Sequence, residues 1–308
     1  MSVPIYVVGS SNTDMVVKAE KLPAPGETVI GGSFLMNPGG KGANQAVAAS
    51  RLGGSVTFVA CVGNDIFGRQ ALQQFQRERI KTDFIVTNPN HPSGVALINV
   101  DARGENCIAV APGANAHLST AMVQQAFQAI DGPAILLLQL EIPLDTVEYA
   151  VEYGFKKNVK VILNPAPANR LSDAVFRNIF VITPNESEAE LLTGIRVTNL
   201  ESAQAAAGKL HEKGVPNVVI TLGAKGAYLS NQTTQQMIEA PPVTATDTTA
   251  AGDCFNGAFA VALSEDQPLD EAVAFACKAA SISVTRMGAQ SSLPYRKEVD
   301  GLEFVGKR

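Results

Sequence analysis

Short apolar runs that alternate with helical patterns are the feature that most limits how this chain can fold. Residues 5–8, 56–62 and 134–138 are such runs, and helical patterns at 42–51 and 144–156 lie between or after them. Unbroken apolar runs are typical of strands buried on both faces, and helices between strands favour parallel connections. The pattern therefore predicts an α/β fold, Rossmann-like, with a mostly parallel central sheet and helices on both faces.

Two segments, at about 15–36 and 94–110, do not follow this rhythm. The first is extended, and the second is typical of a hairpin with its turn at 101–104. Their strands are expected to pair into a small separate sheet, which must cover a ligand or another subunit if one face is apolar. We therefore predict one large domain over residues 1–308, with a small β-sheet lid formed by the two inserted segments.

The bulk composition excludes several classes of protein. A net charge of -5 gives no reason to expect nucleic acid or an anionic membrane as a partner. No stretch approaches about 18 consecutive apolar residues, so no membrane span is expected. The first residues lack the basic and apolar regions of a secretion signal, which makes the cytoplasm the expected location. Neither common glycine-rich nucleotide motif occurs, which disfavours a dinucleotide-dependent oxidoreductase.

The most informative motif is DTTAAGD at 247–253, which leads into an apolar helix predicted at 255–263. Free backbone N–H groups at a helix start bind anions, and small residues let a phosphate approach them closely. Asp253 would lie beside that pocket, where its carboxylate could accept a proton from an attacking hydroxyl. Taken alone, Asp253 could equally cap the helix.

A second motif, NPGGKGANQA at 37–46, carries three glycines and a lysine into a helix. Such a loop suits a hydroxylated or anionic ligand, with Lys41 and Asn44 donating hydrogen bonds. Taken alone, the motif could also be a glycine-rich turn with a surface lysine.

Together the two motifs resemble the paired signatures of the ribokinase-like, or PfkB, carbohydrate kinases. Both occur in the family's order and about 200 residues apart, and GSSNTD, TPNESE, TLGAKG and VTRMGAQSS extend the resemblance over nearly the whole chain. The resemblance implies a phosphotransferase with an alcohol acceptor, which uses ATP to phosphorylate the primary hydroxyl of D-ribose and gives ribose 5-phosphate. It also implies Mg²⁺, a K⁺ activator, and a homodimer formed through the lid.

The resemblance implies a set of sugar contacts and a catalytic centre. Asp253 would be the base, and the N–H groups of Ala251, Gly252 and Asp253 would form an anion hole. A carboxylate can accept hydrogen bonds from two hydroxyls, which suits a vicinal diol. The residues implied to bind the sugar are Asn12, Asp14, Gly40, Lys41, Asn44, Glu141 and Asp253. Asn12 could instead form a local turn, and Glu141 could be an ordinary acid at a helix start.

The resemblance also implies nucleotide and cation sites. Nucleotide contacts fall on Asn185, Thr221, Gly223, Gly226 and Gly252. Magnesium would be held through water by Asn185 and Glu188, although an acidic helix start is common for other reasons. Potassium would be held by Asp247, Thr249, Ser283, Arg286, Gly288 and Ser292, and Arg286 could instead be an ordinary helix-terminal cation. The family commonly has Asn where this chain has Cys277, which removes one expected nucleotide hydrogen bond.

Other functions remain open on the sequence alone. The acceptor could be 2-deoxyribose, fructose or a nucleoside, although Asn12 with Asp14 favours a polyhydroxylated furanose. The chain could also be a non-catalytic sugar-binding protein on the same fold. The presence of Asp253 beside a small-residue anion site argues against that reading, because a binder needs no base there.

Overall fold

The computed structural model describes residues 2–303, which form two separate β-sheets with helices around the larger one. The large sheet has nine strands in the order β13-β12-β11-β10-β9-β8-β1-β4-β5. Its strands are β1 (Ile5–Val8), β4 (Val56–Gly63), β5 (Lys81–Asn88), β8 (Ile135–Leu138), β9 (Lys160–Leu163), β10 (Val181–Ile182), β11 (Asn217–Thr221), β12 (Ala227–Ser230) and β13 (Gln235–Ile238).

Helices cover both faces of this sheet, as its sequence predicts. Alternate side chains of β1 enter opposite cores, with Tyr6 and Val8 in one and Ile5 and Val7 in the other. The helices are α1 (Lys41–Arg51), α2 (Ile66–Arg77), α3 (Thr120–Phe127), α4 (Leu144–Lys156), α5 (Asp173–Asn178), α6 (Glu186–Thr193), α7 (Leu200–Glu212), α8 (Ala251–Ser264), α9 (Leu269–Ser283) and α10 (Arg296–Asp300). The predicted α/β class with a mostly parallel sheet is confirmed.

The structure adds detail at two places. Strands β12 and β13 pair antiparallel at one edge, so the parallel part of the sheet runs from β11 to β5. Helix α8 begins at Ala251, four residues before the predicted start, because Ala250 adopts a left-handed conformation with φ 60° and turns the chain there. The last three residues of the motif, 251–253, therefore already lie in the first helical turn.

The four-stranded sheet confirms the predicted separate small sheet. Its order is β3-β2-β6-β7, with β2 and β6 parallel and the other two pairs antiparallel. The strands are β2 (Asn12–Lys18), β3 (Ser33–Gly39), β6 (Gly94–Val100) and β7 (Asn106–Ala111). The assignment of the chain to one domain with the two inserted segments at 15–36 and 94–110 stays a prediction.

None of the helices described between residues 2 and 303 combines the length and the apolar character that crossing a membrane requires.

Candidate active site

The carboxyl ends of the parallel strands bring most of the predicted site residues to one edge of the large sheet. Strand β1 ends just before Gly9, β8 just before Gln139 and Glu141, and β10 just before Asn185. Because neighbouring parallel strands all point the same way, the loops that follow them meet at this edge. The edge is therefore the place where side chains from distant parts of the chain can act together.

Glycines allow two helices to approach this edge closely. A Cβ on Gly42 would lie 2.6 Å from the carbonyl carbon of Gly9, so α1 can start against the end of β1 only without a side chain there. A Cβ on Gly257 would lie 2.6 Å from Cβ of Ala48, so α8 packs directly on α1. This close packing sets the start of α1 beside Asp253 in the first turn of α8.

Asp253 is 6% exposed and is held by two amides of α1. Asn44 Nδ2 donates to its Oδ2 at 2.9 Å, and Gln45 Nε2 donates to its Oδ1 at 3.0 Å. The N-cap of α8 is Ala250, with no side-chain cap, so the Asp253 carboxylate is engaged with α1 rather than with its own helix start. Burial raises the pKa of Asp253, although the charge of Lys41 and the two amides oppose the rise.

The start of α8 leaves backbone donors available. The Ala251 N–H donates to the Thr248 carbonyl at 3.2 Å, which engages one of the three predicted anion-hole groups. The N–H groups of Gly252 and Asp253 have no backbone acceptor between residues 2 and 303. A helix start with free N–H groups favours an anion, so these two are the stronger donors for a phosphoryl group.

The predicted sugar contacts surround Asp253 from the sheet edge and from the small sheet. Glu141 Oε2 accepts from Ser10 Oγ at 2.5 Å and from the Lys41 N–H at 3.0 Å, so it also fixes the start of α1. Asp14 lies on β2, and burial, with the nearby charges of Glu141 and Asp253, raises its pKa to about 6 against the opposing charge of Lys41. A Cβ on Gly39 would lie 2.2 Å from Asp14 Oδ2, so only glycine leaves room for this carboxylate.

Lys41 is the positive charge within this acidic group. Burial works to lower the pKa of Lys41, but the carboxylates around it outweigh burial and raise it. Those carboxylates belong to Asp253, Glu141, Glu188 and Asp14. The ammonium therefore stays protonated, and it can attract an anionic group to the edge.

Asn115, which sequence reasoning missed, fixes the orientation of Asn12. The Ser11 N–H donates to Asn115 Oδ1 at 2.8 Å, and Asn115 Nδ2 donates to Asn12 Oδ1 at 2.7 Å. Because the backbone N–H can only donate, neither amide can be flipped without losing a bond. Asn12 therefore keeps its own NH₂ group for a ligand. The signal available in the sequence was a single polar residue between alanines in the turn Gly113–His117.

Asn185 and Glu188 form a reciprocal capping box at the start of α6. Glu188 Oε2 accepts from the Asn185 N–H at 2.9 Å, and Asn185 Oδ1 accepts from the Glu188 N–H at 2.8 Å. The two residues thus stabilise the helix start, which the sequence analysis did not predict for this pair. Glu188 is 7% exposed, burial raises its pKa, and its second carboxylate oxygen is not part of the capping box.

The predicted nucleotide turn adjoins this helix start. Thr221 forms a parallel bridge with Asn185, and a tight turn follows in which the Leu222 N–H donates to the Gly226 carbonyl at 2.8 Å. Gly226 has φ 103°, and a Cβ there would lie 2.0 Å from the Ile238 carbonyl oxygen. Gly223 has φ 55°, so both glycines occupy conformations that other residues rarely adopt.

Hydrogen bonds connect several of the segments that carry the predicted potassium residues. Asp247 Oδ1 accepts from Thr249 Oγ1 at 2.6 Å, and its Oδ2 accepts from the Gly288 N–H at 2.8 Å. Ser283 and Ser292 are buried, and the hydroxyl of each donates to a carbonyl three residues earlier. The Arg286 guanidinium forms an ion pair with Glu298 on α10.

Two further features bear on ligands. Cys277 lies buried in the core between α9 and the sheet, and burial raises its pKa to about 12, so the thiol is neutral.

In the chain from 2 to 303, no three His, Cys, Asp or Glu side chains converge in a way that could hold a metal. A cation held there by one or two side chains would therefore also need carbonyls, waters or a bound phosphate as ligands.

Several known proteins are similar to this chain in sequence and in fold over nearly their full length. The model of the family "pfkB family carbohydrate kinase" matches residues 4–296. The chain is 48% identical to the ribokinase of Haemophilus influenzae, covering 98% of each chain, and 38% identical to the deoxyribokinase of Salmonella typhimurium, covering 94% and 95%. The structure of Arabidopsis thaliana ribokinase complexed with ribose and ATP superposes with a TM-score of 0.87, at 34% identity and covering 97% of this chain and 98% of that one. The chain therefore belongs to the pfkB family of carbohydrate kinases.

Proposed function

We propose that this chain transfers the terminal phosphoryl group of ATP to the primary hydroxyl of D-ribose, giving ribose 5-phosphate. One observation carries the proposal: a buried carboxylate, Asp253, lies in the first turn of a helix whose N–H groups at Gly252 and Asp253 have no backbone acceptor in the described part of the chain. A base beside an anion site is what phosphoryl transfer to a hydroxyl requires. The similarity to ribokinases, one of them bound to ribose and ATP, supports the same substrates.

The chemistry follows from the positions of these groups. The primary hydroxyl would face Asp253, which accepts its proton as the oxygen attacks the γ-phosphorus. The N–H groups of Gly252 and Asp253 would stabilise the charge that develops on the transferred group. Asp14, Glu141 and the NH₂ group of Asn12 would hold the other sugar hydroxyls. Because the protein performs little covalent chemistry in this reaction, alignment and charge stabilisation supply most of the rate.

We further propose that Mg²⁺ and K⁺ take part. The free oxygen of Glu188 and the side chain of Asn185 suit a magnesium ion that keeps its waters, because Mg²⁺ prefers oxygen ligands and dehydrates reluctantly. Asp247 and Thr249 supply hard oxygens for potassium, with carbonyls of the 283–292 segment nearby. Magnesium, when bound with ATP, would neutralise charge on the phosphates.

We propose that the small sheet is a lid and also joins two chains in a homodimer. Large apolar side chains stay exposed on it, including Phe34 at 60% and Leu97 at 53%. Exposed apolar surface of this kind marks a ligand or protein contact. A monomer at micromolar concentration in sedimentation would contradict the dimer.

The test of the function is ADP release with Mg·ATP and a panel of acceptors, with and without potassium. Turnover on ribose that potassium raises would support the substrate and the cation together. Turnover only on 2-deoxyribose, fructose or a nucleoside would keep the kinase and reject ribose. Sugar binding by calorimetry without any turnover would reject the kinase and favour a binding protein.

A further inference from the structure

We propose that Gln45 is a positioning residue for the proposed base Asp253, acting through a closed ring of buried hydrogen bonds. This inference rests on the proposed function, because it concerns the carboxylate assigned there as the base. Gln45 follows Asn44 on α1, but none of its surface is exposed, so it cannot touch the sugar. Any effect it has on the reaction must pass through its hydrogen-bond partners, one of which is Asp253.

The contacts of Gln45 leave its amide one orientation. Its Nε2 donates to Asp253 Oδ1 at 3.0 Å and to Asn164 Oδ1 at 3.0 Å, and its Oε1 accepts from Gln139 Nε2 at 2.6 Å. Because an ionised carboxylate can only accept, the NH₂ group must face Asp253. The residues around Gln45 on α1 are buried Gly, Ala, Val and Asn. A glutamine on such a face costs desolvation unless its hydrogen bonds are used.

The ring closes through the ends of two neighbouring strands and returns to the helix that carries the base. Asn164, after β9, donates to the Thr183 carbonyl at 3.2 Å, and the Thr183 hydroxyl donates to Asn256 Oδ1 at 2.6 Å. Asn256 Nδ2 then donates to the Gly252 carbonyl at 2.8 Å, next to Asp253. Every residue that contributes a side chain to the ring is at most 6% exposed. Buried networks of this kind, when satisfied, hold one arrangement of their side chains.

The ring also favours the ionised form of the base. Both carboxylate oxygens of Asp253 accept hydrogen bonds from the NH₂ groups of Asn44 and Gln45. An amide NH₂ group cannot accept a hydrogen bond from the O–H of a protonated carboxyl group. The charges that face this carboxylate are Lys41, which favours ionisation, and Glu141, Asp14 and Glu188, which oppose it. The hydrogen bond from Gln45 lowers the pKa of Asp253 and so opposes the effect of burial. Removing this donor should therefore raise that pKa further.

The test compares Gln45→Met, which keeps length and removes the donor, with Gln45→Glu, which places a second carboxylate against Asp253. We expect Gln45→Met to lower kcat at neutral pH about 10-fold and to move the acid limb of its pH profile up by about one unit. KM for ribose should change less than about 3-fold, because Gln45 does not reach the sugar. Gln45→Glu should move the limb further, because like charges resist joint ionisation. Gln76→Met, an exposed glutamine on α2, is the matched control.

Two results would overturn the proposal. One is a Gln45→Met variant with wild-type kcat and pH profile. The other is a loss of kcat together with thermal stability while the acid limb stays in place, which would make the role structural only. A ¹³C NMR titration of the labelled Asp253 carboxyl in the full chain reads the same shift without turnover. An inactive wild-type chain would thus reject the proposed function, while an unshifted carboxyl in the Met variant would reject the role of Gln45.

Discussion

Apolar side chains are buried in the large sheet of this molecule, whereas several of them are exposed on the small sheet. Leu137 on β8 is 0% exposed, whereas Leu97 on β6 is 53% exposed, and all six residues of β7 are exposed. The large sheet has helices on both faces, so its apolar side chains stabilise the fold. Among residues 2–303, no side chain of the small sheet belongs to either core, so its apolar side chains remain available for a ligand or a partner. Apolar strands alone therefore do not define the core.

We propose that the chemistry takes place at the edge of the large sheet, and Asp253→Asn tests that proposal with the largest expected effect. Without a base, turnover should fall by about 10²–10⁴-fold, while thermal stability stays close to wild type or rises, because the carboxylate is buried. ADP release measures the first and thermal unfolding the second. Asp131→Asn, at an exposed turn, is the control. Near-normal turnover of Asp253→Asn would contradict the assignment of the base.

A pair of leucine variants tests the difference in stability. Leu137→Ala should reduce the free energy of unfolding by about 2–5 kcal/mol, because it removes a fully buried side chain. Leu97→Ala should cost less than about 1 kcal/mol in the isolated chain, because half of that side chain is already in water. Urea unfolding at low protein concentration measures both. Equal losses would show that the small sheet is as much a part of the core as the large one.

Asn115 links the two sheets, and Asn115→Ala tests that link. The variant removes the donor that holds Asn12 Oδ1 at 2.7 Å, so Asn12 can rotate and its NH₂ group is no longer fixed. We expect KM for ribose to rise about 10-fold with little change in kcat. Asn90→Ala, in an exposed loop, is the control. A fall in kcat with constant KM would assign Asn115 to the chemistry rather than to the sugar contacts.

Asp14→Asn should have the smallest effect of these variants, a change in thermal stability that depends on pH. Because the folded chain raises its pKa from 3.8 to about 6, the unliganded chain gains stability from this group below pH 3.8 and loses it as pH rises through about 6. Asp14→Asn should therefore unfold at a higher temperature than wild type above pH 6, with the difference closing below pH 4. Thermal unfolding across this range measures it. The same variant should bind ribose more weakly, and a pH-independent difference in stability would contradict the shifted pKa.

Much of the fold could be predicted because its signals are local. Buried runs such as 134–138 and helical patterns such as 144–156 identify their elements without knowledge of the rest of the chain. The start of α8 was predicted four residues late, because alanine gives no sign that Ala250 will turn left-handed. The antiparallel edge strands β12 and β13 were also missed, because the direction of a strand depends on its partners.

The candidate site, like the fold, could be predicted from the sequence only in part. The position of Asp253 at a helix start could be predicted because small residues precede it in a motif that suits a phosphate site, and its role as a base stays a prediction. Gln45 and Asn115 were missed, because their partners lie more than 90 residues away in sequence and only the packing of α1 on α8 and of the small sheet on the large one brings them together. A lone buried glutamine in an alanine-rich helix was the one sign available.

The four connections between the sheets have a mechanical consequence. The chain passes to and from the small sheet near Asn12, Gly40, Gly94 and Gly113, and a Cβ on Gly94 would lie 2.2 Å from Asn12 Oδ1 and 2.3 Å from Asn115 Nδ2. All four passages thus meet beside one point, which would be the fulcrum of any rotation of the small sheet. A rotation of about 10° would carry the far end of a seven-residue strand about 4 Å but would move Asp14, two residues from the fulcrum, only about 1 Å. If the small sheet is the proposed lid, its tip would open for a sugar to enter while the proposed sugar-binding groups near its base stay in position.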